Sequence, residues 1–478
     1  MSMWEGTLWT WLRSVLIACT ALPIIGRLDL GLNGIRSSRR GWVWGALLLP
    51  LLTPGFLVGY AYGRGVLALR EWEWWNEIAY VLLSLGRWVP LGLLIVRLAP
   101  ASSISPMGMH CLQMTRPSGQ SFTERLRDWG TWIRFGEGKK YVLTFGVLFL
   151  ATFHDFDLAA LMGVESWSVW LFDAQGAGLG LGESLRRLIG PLLVQLMTLV
   201  PILWVAGSGW RGTDASVSRR DRCGGRAFLT VWGLAAAARG CLVPWGLVAY
   251  EGGAGLASIG RQGNQWVGLL QEGINGLVAG GTSALFAILI SRWVCGRADL
   301  KEGWTGRWLV LVPGLFGPLA VALVAMAVFQ ISWIARYAPA GLSWLTALIV
   351  WLIPTGVLLQ LGLRSRGVPM AMHLGEMLKG SSNIDQRRGG WGIWWKLRGD
   401  EWIWSVVPLV WWSYFDLTIS SMLAPAGAVS APVRLFNQMH YGHSAMLSAL
   451  TGGAVLIPVG LLCLLMGMRR IALRGGIR

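Results

Sequence analysis

The chain has 478 residues, of which 54% are hydrophobic and 14% charged, and its mean hydropathy is +0.52. A soluble domain carries roughly 25% charged residues, so an ordinary soluble enzyme is excluded and a lipid environment is indicated. The net charge of +17 invites a nucleic-acid reading, but the charges lie between long apolar runs, and membrane proteins gather Lys and Arg in their cytoplasmic loops. That class is therefore set aside as well.

About 20 apolar residues are needed to cross the hydrocarbon core, and by that measure eleven spans are predicted: 8–26, 42–62, 76–99, 141–162, 187–206, 228–250, 270–291, 308–330, 343–363, 401–423 and 444–468. The first is interrupted by Arg13 and lacks a small-residue cleavage site, so it reads as a retained helix and not as a signal peptide. Trp72, Trp74 and Trp75 at the edge of one run, and Trp391, Trp394 and Trp395 near another, suit interfacial belts. Loops 27–41, 100–140, 207–226, 292–307, 364–400 and the tail 469–478 carry 30 Lys and Arg, against 6 in the alternate set. This asymmetry predicts an inner (plasma) membrane topology with the N-terminus outside and the C-terminus in the cytoplasm.

Several features recur at nearly one offset. Pro106–Arg116 reads PMGMHCLQMTR and Pro369–Lys379 reads PMAMHLGEMLK, 263 residues apart, and Pro50 precedes Pro313 by the same distance. Phe156-Asp157-Leu158 matches Phe415-Asp416-Leu417 at 259, and Val169–Asp173 matches Val433–Asn437 at 264. An internal repeat is read from this collinearity, with halves at 1–215 and 216–478. The second half has six spans and the first has five, lacking a partner for 228–250. The shift is an even number of spans, so the halves insert with the same topology, related by a pseudo-two-fold axis along the membrane normal. Two matching cytoplasmic loops suit a motor with two identical subunits.

At these residues the chain resembles the fused inner-membrane permeases of binding-protein-dependent ABC importers of the ferric-iron type. The resemblance runs from about residue 8 to 468. It is carried by the position of the two loops, by FDLAALM and FDLTISSML at the ends of the following spans, and most specifically by Ala424–Gly427, Pro432–Asn437 and His440-Tyr441-Gly442. It implies an all-α fold with two repeated halves of the type I importer permease. It also implies two partner ATPase subunits, an extracytoplasmic substrate-binding protein, and ferric iron or a related small solute as cargo. ATPase coupling would fall to Met109, His110, Met114 and Arg116 in the first loop and Met372, His373, Met377 and Lys379 in the second. Binding-protein contact would fall to Arg434, Asn437, His440 and Tyr441. His110-Cys111-Leu112 stands where that family has Glu-Ala-Ala, and Arg116 where it has Gly. A Met-rich basic segment still offers an adaptable apolar contact.

No GxxxxGK[ST], HExxH or GxSxG motif of the kind those chemistries need is present. ATP hydrolysis is thus expected on a separate chain, with no catalytic residue, cofactor or metal here. The six cysteines lack CxxC spacing, so no disulfide framework is expected. Ionisable residues inside spans mark pathways or pairs. Asp157 and Asp416 read either as a gate on a cation path or as helix caps and partners of Arg87 or Arg239. The alternative class is an ion-coupled secondary transporter or an intramembrane enzyme using His154, Asp155 and Asp157. A permease retained only as a scaffold is a third reading.

Overall fold

A computed structural model describes residues 2–35, 37–68, 73–99, 138–207, 224–260, 264–296, 304–364, 369–394, 400–439 and 444–475, with Gly442 and scattered positions between 111 and 136. Among these residues every regular element is helical. Seven helices are long and apolar enough to cross a membrane: Met3–Asn33, Trp74–Leu98, Leu181–Trp204, Gly225–Ala257, Asn264–Cys295, Leu342–Gly362 and Ala445–Gly467. A bent pair, Ser38–Leu52 with Gly55–Gly63, makes up to eight. The chain is thus an all-helical protein of multi-pass membrane character.

Two compact units divide it, Met1–Pro244 and Trp245–Arg478. In the first unit the helices are α1 (Met3–Asn33), α2 (Ser37–Leu52), α3 (Gly55–Ala68), α4 (Glu73–Leu98), α5 (Gly138–Phe153), α6 (Asp157–Leu161), α7 (Trp167–Gly176), α8 (Leu181–Gly207) and α9 (Gly224–Ala237). A π-helical turn at Ala238–Leu242 leads into α10 (Val243–Gly260), and the unit boundary falls at its second residue. The second unit continues with α11 (Asn264–Gly296), α12 (Trp304–Leu315), α13 (Pro318–Phe329), α14 (Ser332–Tyr337), α15 (Leu342–Arg364), α16 (Pro369–Lys379), α17 (Ile384–Trp394), α18 (Asp400–Tyr414), α19 (Thr418–Leu423), α20 (Ala431–Met439) and α21 (Ala445–Gly475). The position 215/216, read above as the boundary between halves, lies outside the described residues.

Within each unit the same packing pattern appears. In the first, α1 is the central helix and packs on α4, α5 and α7, while α2 packs on α4, α3 on α6, and α7 on α8. In the second, α11 packs on α15, α18 and α20, while α12 packs on α15, α13 on α19, and α20 on α21. The core of the second unit has Ala284, Ala287 and Ile288 of α11 against Leu352, Ile353 and Val357 of α15 and Leu409 of α18. Small residues on α11 let these helices approach closely, as in membrane helix packing generally.

Four of the predicted spans are broken helices, and the breaks fall at corresponding places. Pro50 and Pro54 end α2, where the helix turns through 69° into α3. Proline supplies no N–H and clashes with the preceding turn; the last turn of α2 is closed by Thr53, whose backbone N–H and hydroxyl both donate to Leu49 O, at 3.0 and 2.9 Å. Pro313 and Gly317 end α12 in the same way, and Gly317 takes a φ of 87° that a residue with a Cβ seldom adopts. The other two breaks follow Phe153 and Tyr414.

Candidate functional site

Three places gather the residues singled out by sequence: the repeated phrase, the second pair of breaks, and a polar cleft in the second unit.

The second copy of the phrase, Pro369–Lys379, is helix α16, and it packs as a hairpin on α17. Gly390 makes that pairing close: a Cβ there would lie 2.6 Å from Lys379 N and 2.7 Å from the Leu378 carbonyl carbon. Asn383 caps α17 by accepting from Asp385 N–H at 3.0 Å, and the Ser381 hydroxyl donates to Gln386 Oε1 at 2.6 Å. The Lys379 ammonium lies 3.8 Å from the Trp391 ring centre and 3.7 Å from that of Trp394, a cation–π arrangement. Lys379 therefore holds the hairpin together. The outward side carries His373, Leu374 and Met377, with Met377 64% exposed. Met372 lies on α16. In the first copy Cys111 and Met114 are helical and exposed, while Met109, His110 and Arg116 lie outside the described residues.

At the second breaks, α5 stops and α6 begins around Asp155, and α18 stops and α19 begins around Asp416. Asp155 is the residue that occupies Asp416's structural position; Asp157 is the first residue of α6 and corresponds to Thr418. Each carboxylate caps the short helix after it. Asp155 Oδ1 accepts from Leu158 N–H at 3.4 Å, and Asp416 Oδ2 accepts from Ser420 N–H at 2.9 Å and its hydroxyl at 3.2 Å. Both are buried, whereas Asp157 is half-buried. Irregular backbone at membrane depth survives only where protein or water satisfies its polar groups, and these carboxylates do so.

An aromatic side chain from the preceding long helix reaches each break. Tyr80 on α4 donates to Asp155 Oδ2 at 3.2 Å, and Trp344 on α15 donates through Nε1 to Ser420 Oγ at 3.1 Å. The charge balance differs. Arg87 lies 3.9 Å from Asp155, and Arg13 bonds Glu77 at 3.0 Å and Glu165 O at 3.0 Å, with its guanidinium 4.6 Å from the Tyr80 ring centre. Trp351 stands where Arg87 has its counterpart, so Asp416 rests on neutral donors. Arg87 pairs with Asp155. Arg239 instead accepts the Tyr62 hydroxyl at its carbonyl, 3.0 Å away.

The cleft in the second unit lies between α11, the 424–430 loop and α20, and encloses about 450 Å³. Arg434 and Asn437 line it; His440 and Tyr441 lie outside the described residues. Arg434 donates to Glu272 Oε1 at 2.9 Å and to Gln265 Oε1 at 2.8 Å. Glu272, Gln265, Tyr80 and Trp344 were not picked out by sequence reasoning, and Asp155 was named there only for the intramembrane-enzyme alternative, not as the counterpart of Asp416. For Asp155 the signal was present: the FDL pair fits at 259 while its neighbours fit at 263 and 264, and moving to Asp155 gives 261. No three His, Cys, Asp or Glu side chains among the described residues are grouped to hold a metal ion.

No family model, curated protein or solved structure matches the chain.

Proposed function

We propose that this chain is the membrane-spanning permease of an ABC importer: two fused halves, eleven spans, and a path opened alternately to either face. Partner ATPases, two copies, would grip the 106–116 and 369–379 segments. ATP binding would draw those segments together, rock the halves and open the path to an external binding protein that docks near Asn437. The membrane is the inner one, with the N-terminus outside and the C-terminus in the cytoplasm. The cargo that the family resemblance implies is ferric iron or a related small solute.

One observation carries this reading above the others. Two units run through one order of elements, with helix breaks at matching positions, and the repeated phrase sits at the same point in that order. The second copy is an amphipathic helix, one arm of a hairpin, showing Leu374 and Met377. Exposed apolar residues on a polar-rimmed element mark interaction sites. A secondary carrier has no need of such a pair. The test is association: the protein should co-purify with a P-loop ATPase, and lose it when both segments are replaced by Gly/Ser linkers. Retained association after replacement overturns the proposed docking role.

A further inference from the structure

The cleft of the second unit has a chemical character of its own. Four carboxamides, Gln271, Asn275, Asn437 and Gln438, converge on it together with the Arg434–Glu272 pair. Each carboxamide offers both a donor and an acceptor. The two charges cancel, and each is engaged by the other at 2.9 Å. Glu272 Oε2 is nonetheless buried without a hydrogen-bond partner. A buried acceptor left unmade costs free energy, and this oxygen sits behind the cleft lining and does not face a solute. The volume, about 450 Å³, lies in the range of small-molecule pockets.

An ionic ligand is disfavoured here, because it would bring an uncompensated charge against a neutral lining. Ferric ion is a hard cation that seeks several anionic oxygens, and the cleft holds one carboxylate, already paired. Hydroxyl groups both donate and accept, and match the carboxamides and the remaining Arg434 N–H groups. In the first unit Trp170 and Asp173 stand where Arg434 and Asn437 have their counterparts, and the Trp170 ring lies 5.0 Å from the Arg187 guanidinium. The polar set is therefore a property of the second unit.

We infer that this cleft binds a small, neutral, hydroxyl-bearing solute. As a binding site it stands on the cleft alone; as the cargo site it rests on the permease reading.

The experiment uses the purified chain in lipid nanodiscs with no ATPase present. Glucose, mannitol, maltose, gluconate, glycine betaine and ferric citrate are the probes, each in millimolar excess, and thermal unfolding is the readout. At least one of the three neutral polyols should raise Tm by about 2 °C or more, and gluconate, betaine and ferric citrate should not. Asn437→Leu changes an exposed side chain; it should leave the Tm of the free protein unchanged and abolish the shift. Glu272→Gln removes the counter-charge of Arg434 and should favour gluconate over glucose. No shift from any neutral polyol, a shift that survives Asn437→Leu, or a larger shift from ferric citrate or betaine overturns the proposal. Failure here leaves ATPase association untouched. Polyol binding by a chain that recruits no ATPase would sink the permease reading and keep the site.

Discussion

Asp155 and Asp416 stand at corresponding helix breaks of the two units, in different electrostatic surroundings. Asp155 has Arg87 at 3.9 Å and the Tyr80 hydroxyl at 3.2 Å. Removing one partner of a buried pair leaves an uncompensated charge, which costs about 3–5 kcal/mol. Arg87→Met should therefore lower Tm sharply, and Asp155→Asn in the same chain should recover most of the loss. Thermal unfolding of the two single variants and the double variant completes that cycle; additive losses would show that the pair is not coupled. Asp416 acts through its cap. Asp416→Ala should cost about 1 kcal/mol and Asp416→Asn much less, because Asn also accepts at a helix start. Asp157 is half-buried at the first position of α6, so Asp157→Asn should cost stability slightly and spare transport. Near-complete loss of transport on that change would favour the proton-coupled carrier or intramembrane enzyme.

At the scale of elements, the sequence made the helices legible and hid their breaks. Each predicted apolar run falls on helical segments, because the bilayer demands length, and seven helices, or eight counting the bent pair, are long and apolar enough to cross a membrane among the described residues. It said nothing of where backbone hydrogen bonds are interrupted, since a broken helix of 42–62 or 401–423 has the same hydropathy as a straight one. Pro50 and Pro313 flagged one pair of breaks. The pair at Asp155 and Asp416 contains no proline, and became visible only through the capping hydrogen bonds. Hydropathy also sets the 364–400 loop aside as polar, yet its residues 369–394 fold into the α16–α17 hairpin. Its stabilising contacts, Gly390 against the Lys379 backbone and Lys379 against two indoles, are tertiary and leave no periodic mark. Gly390→Leu forces side-chain volume into that approach and should open the hairpin. We expect ATPase association to fall while the Tm of the helical body stays within about 1 °C, because a change at an exposed element away from the core seldom costs more. Unchanged association with a demonstrably opened hairpin, seen as loss of protection in hydrogen exchange, would remove the hairpin from the docking account.

For the whole molecule, the spacing of the paired features in the sequence and the order of elements in the two units agree with one another, and such agreement across levels is what a consistent fold provides. The parallel order of elements in the two units was legible because Pro50 and Pro313, which precede matching breaks, keep the spacing of the paired phrases. The cleft was not, because Gln265 and Glu272 lie about two turns apart on α11 and meet Arg434 only after α20 folds back. The central claim is that an external motor drives this chain through its two repeated segments. It is tested most directly by expressing the tagged protein in its own host, solubilising it gently and identifying the proteins that co-purify. The account predicts a P-loop ATPase, lost when 106–116 and 369–379 are both replaced by Gly/Ser linkers while the helical body keeps its Tm. A clean chain with no ATPase, from a detergent that preserves a control complex, would contradict it.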